Sequence, residues 1–395
     1  MISEKMKNLG QKRSTIREIF EYANARRKEI GASNVYDFSL GNPSIPAPKK
    51  VEEIIKKLLD EKGAVALHGY TSAPGDLGVR QKISDYINNT FLAPCTPNNI
   101  YMTCGAAASL TISLSAVCNA KDEVIVLAPF FPEYKVFIEQ AGATPIIVKN
   151  KLPDFSLDFD ALEKAINPKT KAIIINSPNN PTGKIISEEE IIKLSKLLNK
   201  KQKEYSSEIF LIADEPYREL VYGDNKPCYV PNYYDNTIVC YSFSKSLSLP
   251  GERIGYIFVS PKVVGSSDVY SAVCGAGRSL GYVCAPSMFQ YVVSECLGAS
   301  SDVTEYEKNR NLFYDFLTKT GYEVVSPDGA FYLFVKSLED DATAFCERAK
   351  KYEIMLVPSN DFGVDGYVRI SYCVANKTIQ DSLPKFKELY DEYKK

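Results

Sequence analysis

Residues 241–258 read YSFSKSLSLPGERIGYIF. A lysine, Lys245, stands among small hydroxyl residues, and Arg253 follows after a Pro250–Gly251 turn. Such an amine can attack a carbonyl or carry a proton, and the fork of an arginine suits a phosphate. Other polar residues stand directly behind apolar runs. Asp214 follows IFLIA, where a carboxylate at the rim of a buried strand needs a cation or a donor to stay ionised. Tyr217 comes three residues later, and Asn180 lies in SPNNPTG, behind AIIIN. After IYMT, the stretch CGAAASLTISL opens a helix with small residues, so the backbone N–H groups of Gly105, Ala106 and Ala107 are open to an anion. Phe130 and Phe131 add flat aromatic faces.

An amine, a carboxylate, a phenol, an asparagine, an aromatic pair and a phosphate cradle form a set that pyridoxal phosphate uses whole. That cofactor needs a lysine to hold it, a carboxylate to keep its pyridine nitrogen protonated, donors to its ring oxygen, and an anion site. Other cofactors fit worse. The chain carries neither GxxxxGK[ST] nor a dinucleotide glycine fingerprint. His68 is the one histidine, and no cysteines are paired at ligand spacing, which argues against a metal. His68, before a glycine turn, reads as a hydrogen-bonded packing residue without a catalytic part.

The elements that must position this set alternate. Short β-rich runs (IYMT, EVIVLA, PIIV, AIIIN, IFLIA, TIVCY, GYIFV) are separated by helical stretches, one of which has Ser187 and Glu190 spaced as a capping box. The pattern predicts an α/β fold with a mostly parallel sheet covered on both faces, whose ligands lie beyond the carboxyl ends of the strands. An amphipathic helix from Ile16 to Ile30 is expected to close on a left-handed Gly31, and a second covers Val51 to Leu59. Past about Tyr282 the pattern changes to two long helices, the runs YEVV and FYLFV, a short helix, YVRISYC and a terminal helix. This predicts a smaller α+β lobe: 45–285 as the large cofactor-binding domain, 1–44 and 286–395 as the small one.

With 47 Lys plus Arg against 49 Asp plus Glu, the chain has no basic field for nucleic acid or anionic membrane. Ten cysteines without paired spacing read as reduced core residues in the cytosol. The start MISEKMKNLG lacks the apolar core of a signal peptide, and no run is long enough to cross a bilayer. The expectation is a cytoplasmic enzyme acting on small molecules.

These residues resemble the class I and II aminotransferases, the fold type I pyridoxal phosphate enzymes related to aspartate aminotransferase. SLGNPSIPAP, HGYTSAPGDLGVRQKI, NSPNNPTGKIIS, DEPYREL, SFSKSLSLPGERIGY, GAFYLF and GYVRISY appear in the family's order along essentially the whole chain. The resemblance implies a large domain with a mostly parallel seven-stranded sheet and a smaller α+β domain. It makes Lys245 the residue that holds the cofactor covalently and shuttles the proton. Asp214 is expected on the pyridine nitrogen, Tyr217 and Asn180 on the ring oxygen, and Phe131 stacked on the ring, with Phe130 as its rival. The phosphate would meet the amides of Gly105, Ala106 and Ala107, then Ser242, Arg253 and Tyr70 from a partner subunit, which implies a homodimer. Arg369, with Asn180 and the backbone of Gly41, would clamp the substrate carboxylate.

Blander roles stay open for some of these. Asp214 can cap the turn that follows it, Phe131 can be core, and Arg369 can point outward from its strand. Arg278, in GAGRSLGYVCAP, either selects a dicarboxylic substrate across the interface or bonds its own helix end or the dimer interface; Ala107 stands where some aspartate-specific relatives carry a lysine. The implied activity is transfer of an amino group from an L-amino acid to a 2-oxo acid. The alternatives are a carbon–sulfur β-lyase, which begins with the same proton abstraction, and a regulator, which wants a DNA-binding domain and a basic patch.

Overall fold

The computed structural model describes residues 2–11 and 14–394. The seven apolar runs form one sheet: β1 (Ile100–Thr103), β2 (Glu123–Ala128), β3 (Thr144–Lys149), β4 (Thr170–Asn176), β5 (Phe210–Asp214), β6 (Thr237–Ser242) and β7 (Gly255–Val259). Their order in space is β1-β7-β6-β5-β4-β2-β3. β7 runs antiparallel to both neighbours, and the other pairs are parallel.

The strands read as continuous apolar runs because each serves two cores. Side chains alternate across a strand, so Ile173, Ile175, Leu211, Ala213 and Val239 enter one cluster. Ala172, Ile174, Phe210, Ile212 and Ile238 enter the other, under the helix Ala106–Val117. Asp214 has the parity of Phe210 and Ile212. Its carboxylate therefore leaves the sheet on the face covered by that helix, at the last residue of β5.

A second sheet forms from β8 (Val324–Val325), β9 (Tyr332–Lys336), β10 (Val357–Pro358) and β11 (Tyr367–Ser371), antiparallel in the order β10-β11-β9-β8. Helices Val303–Thr320 and Asn376–Glu392 cover it through Phe313, Leu317, Phe386 and Leu389, which pack with Val368 and Ile370. Arg369, between those two on β11, faces the other way.

Two details differ from the sequence reading. Of the two long helices expected past Tyr282, Ser287–Glu295 has nine residues and Val303–Thr320 eighteen. The shorter one buries Val292 and Val293 in the same cluster as Val79, Ile83 and the first face of the sheet. Gly31 closes the helix Thr15–Ile30 with φ 91° and ψ 144°, outside the left-handed helical well but still open to glycine.

The capping box at Ser187 and Glu190 is present, each side chain accepting from the other's backbone N–H at the start of the helix Glu188–Tyr205. Neither Ser187 nor Glu190 lines the cavity that gathers the polar set, although Ile186 before the cap donates to Ser177, just past the end of β4, at 3.0 Å. Ser187→Ala is expected to cost about 1 kcal/mol of stability in chemical denaturation while leaving turnover unchanged.

Candidate active site

The carboxyl ends of β4, β5 and β6 and the start of the helix Ala106–Val117 open onto one cavity of about 290 Å³, near the lower end of the range for small-molecule sites. Ala106, Ala107, Phe131, Asn180, Asp214, Tyr217, Ser242, Lys245, Arg253, Arg369 and Gly41 all line it. The carboxylate, the amine and the two guanidiniums thus share one space.

Lys245 stands on a short helix, Phe243–Ser246, rather than in the loop its serine-rich surroundings suggest. Ser242 caps that helix, its Oγ accepting from the Ser244 amide at 3.1 Å. The lysine Nζ donates to the Gly41 carbonyl at 2.6 Å. Burial lowers its ammonium to about 8, with the buried Cys373 thiol opposing and Arg369 and Arg253 adding to the depression. An amine poised near neutrality can act as a nucleophile and exchange protons. Gly41 is held to glycine, since a Cβ there overlaps the Tyr332 hydroxyl.

Asp214 is buried, with Tyr134 donating to Oδ2 at 2.5 Å. Its Oδ1 has no partner. Burial raises the carboxyl to about 7; the Tyr134 bond opposes this and Glu215 adds to it. Asn176 Nδ2 donates to the Asp214 carbonyl at 2.8 Å, and its Oδ1 accepts from the Asn180 amide at 2.7 Å, tying the ends of β4 and β5 together.

At the cavity's other side Arg369 is almost wholly buried. Its Nη1 donates to Asn180 Oδ1 at 3.0 Å and its Nη2 to the Ser39 carbonyl at 2.6 Å, while Nε has no partner. The outward-facing reading of Arg369 is thereby corrected: β11 turns it into the cavity. Tyr332 lies against it, ring centroid 4.6 Å from the guanidinium carbon, and shares a 2.9 Å hydrogen bond with Tyr217.

Gly105 precedes the helix Ala106–Val117 with φ +88°, and a Cβ there would come within 3.0 Å of the Arg253 guanidinium. Arg253 itself has φ +53°, a strained value for a non-glycine residue, and its Nη1 contacts Ser244 Oγ at 3.4 Å and the Pro250 carbonyl at 3.0 Å. Helix start, hydroxyls and arginine make a concave anion site.

Of the aromatic pair, Phe131 reaches the cavity and Phe130 is core. Tyr70 is 98% exposed and Arg278 is exposed near the end of the helix Ser266–Leu280, so neither lines the cavity of its own chain. His68 is exposed at the end of Ala64–His68, not the packed residue its sequence setting suggests. Among the described residues no cluster of His, Cys, Asp or Glu could hold a metal, and all ten cysteines are free.

Sequence reasoning missed Tyr134, Asn176, Ser244, Tyr332, Leu40 and Ile16, which complete the site. Tyr332 lay within a motif already singled out, and Ile16 is placed by the helix Thr15–Ile30, whose Thr15 donates to Asp361 at 2.6 Å. Nothing local marks Tyr134. A buried brace also lies behind the strand ends. Arg218 pairs with Glu215 and lies over the Tyr241 ring at 4.5 Å; Tyr241 bonds Glu219 at 2.9 Å and Ser246, next to the lysine, at 3.0 Å.

The mixed seven-stranded sheet with a site at its carboxyl ends and an antiparallel small lobe defines a fold type I transferase. Solved structures agree: an aminotransferase from Eubacterium rectale is 54% identical with a TM-score of 0.98 over 100% of both chains. An aspartate aminotransferase from Thermotoga maritima is 28% identical with a TM-score of 0.88, over 99% of this chain and 100% of that one. A probable aspartate aminotransferase of Methanocaldococcus jannaschii is 31% identical over 402 residues, 99% of this chain and 100% of that protein. A (5-formylfuran-3-yl)methyl phosphate transaminase of the same organism is 32% identical over 381 residues, 93% of this chain and 95% of that one. The model of the family "Aminotransferase class I and II" matches residues 33–383, and the chain belongs to that family. It is an enzyme of amino-group transfer.

The raised Asp214 carboxyl gives a testable sign. Its neutral form is favoured by the fold, so the stability it lends is full below about 4 and is lost as pH rises through about 7. Asp214→Asn cannot ionise, and Lys245 is common to both proteins. In thermal melts without cofactor, the variant's advantage over wild type should therefore grow between pH 4 and pH 8, reaching on the order of 2–4 kcal/mol at about 1.4 kcal/mol per pKa unit. A constant difference across that range removes the assignment.

Proposed function

We propose that this aminotransferase works with pyridoxal 5'-phosphate held in the cavity, moving an amino group between an L-amino acid and a 2-oxo acid. The observation that carries the reading is the unpartnered Oδ1 of Asp214, a buried carboxylate oxygen whose burial is relieved by a protonated ring nitrogen. The donor set fits the rest of the group. Gly105, Ala106 and Ala107 at the helix start, with Ser242, Ser244 and Arg253, suit a phosphate dianion. Tyr217 and Asn180 suit a ring oxygen, and Phe131 offers a face to the ring. When bound, the cofactor supplies an electron sink for the pair left on the substrate's α-carbon after its proton is removed.

The chain's own residues do the remainder. Lys245, whose ammonium burial lowers to about 8, would hold the cofactor covalently, and its Nζ, once free, would accept the proton leaving the substrate's α-carbon. Arg369 binds the substrate α-carboxylate from the cavity it lines, and the Tyr332 ring limits its swing. The small lobe thus orients the substrate while the large lobe supplies the chemistry. We place the large lobe at 45–285 plus the helix Ser287–Glu295.

Two copies complete the site in this reading. Tyr70, 98% exposed, is the residue that reaches the partner's phosphate, and Arg278 is the cross-interface candidate for a distal carboxylate. Exposed Val65, Tyr282 and Val283 give the segments around them an apolar character that suits a dimer face. The reduced cysteines fit a cytoplasmic setting.

Purified enzyme incubated with cofactor and an amino acid, without an acceptor, should convert once to the amino form of the cofactor and stop; continuous ammonia release would instead mean elimination. Lys245→Ala should lose at least three orders of magnitude in turnover, in line with removal of a positioned acid–base group and nucleophile (about 10²–10⁴ for the proton transfer alone). Arg278→Leu should lower kcat/KM on aspartate and glutamate and spare apolar amino acids; equal loss on both discards its role in specificity.

A further inference from the structure

The Tyr134 side chain touches two groups of the site at once. Its hydroxyl donates to Asp214 Oδ2 at 2.5 Å, and its ring meets Phe131 edge to face, centroids 5.7 Å apart at 84°. It is buried on the helix Glu133–Gln140, packed with Ile138 and Phe210 under the sheet. A small separate cavity of about 40 Å³ lies against it, lined also by Phe130, Asn179 and Asn176, the last of which lines the main cavity as well.

Resting on the cofactor reading above, we propose that Tyr134 is a positioning residue that fixes, with one side chain, both the Asp214 carboxylate and the Phe131 ring, the two groups expected to grip the cofactor ring. The geometry makes the coupling specific. Donation to Oδ2 occupies one carboxylate oxygen and leaves Oδ1 as the one unpartnered acceptor of Asp214. The bond anchors one carboxylate oxygen to the phenol, and the edge contact seats the Phe131 ring against the same side chain. A neutral phenol favours the ionised carboxyl without bringing a positive charge of its own, as a cationic donor would.

The other groups near Asp214 do not replace this bond. Glu215 follows it and carries a like charge; the Tyr217 phenol is committed to Tyr332; the Cys240 thiol on β6 bonds Ser113. From β4, Asn176 reaches only the Asp214 main-chain oxygen. Lys245, Arg253 and Arg369 line the same cavity but make their bonds to Gly41, to Ser244 and Pro250, and to Asn180 and Ser39. Loss of the Tyr134 hydroxyl therefore leaves the Asp214 side chain without a hydrogen bond from its own chain, and burial then favours its protonated form more strongly.

The test is a cycle of Tyr134→Phe, Asp214→Asn and the double variant, each titrated with pyridoxal phosphate. Tyr134→Phe keeps the ring and its contact with Phe131 and removes the hydroxyl. Its cofactor dissociation constant should rise on the order of tenfold or more, the size of a hydrogen bond to a charged group. The acid limb of its kcat/KM profile should move to higher pH. In the Asp214→Asn background the same change should have little effect on cofactor binding. An equal loss in both backgrounds, or an unmoved acid limb with only a lower melting temperature, overturns the proposal. If wild type itself takes up no cofactor, the functional reading fails instead, so the two failures are distinct.

Discussion

The structure is organised around one electrostatic constraint: a carboxylate carried on the tip of a wholly buried strand. Asp214 ends β5, the central strand of the large sheet, and nothing in the chain bonds its Oδ1. An isolated buried charge is costly, so with nothing on Oδ1 burial pushes the carboxyl toward its neutral form. The cavity, the raised carboxyl and the depressed lysine follow from the same exclusion of water.

The two lobes divide the work by their architecture. Parallel strands bring residues distant in sequence to one edge of the sheet, so Asn180, Asp214 and Lys245 meet without any of them lying on a long loop. The antiparallel small sheet contributes Arg369 from the middle of β11; Asn180 accepts from that arginine across the cavity, and the Tyr217–Tyr332 bond joins the two halves beside it. Rigidity comes from behind. The brace from Glu215 through Arg218 and Tyr241 to Ser246 links the residue after the carboxylate to the residue after the lysine. Its two carboxylates against one arginine give it little net electrostatic gain. Its value lies in fixing two strand ends relative to each other.

Much of the fold was legible because its signals are local. Every strand of the large sheet stood out as an apolar run, and the cap at Ser187 was visible as a spacing. Lys245, Asp214, Asn180 and the Gly105 helix start were readable because strand-end polar residues and small helix-opening residues are unusual in themselves. Less legible were the helix under Lys245, which is four residues long and lacks a period, and the packing of Ser287–Glu295, whose apolar stripe does not say which core it enters. The same holds for Arg369, where alternation gave two faces but not which one lay toward the cavity.

By itself, then, the sequence determined the alternation of strands and helices, the absence of a basic field, and the types of chemical groups at the strand ends, since each depends on neighbours in the chain. Only the tertiary structure decided that Tyr134 holds Asp214, that Phe131 rather than Phe130 reaches the cavity, and that Tyr332 and Ile16 close it. Those contacts join residues from 3 to 115 positions apart in the chain or from separate lobes. The physical reason is that a hydrogen bond or an edge contact is set by distance in space, and distance in space is fixed by how whole layers pack, a property that no stretch of sequence carries alone.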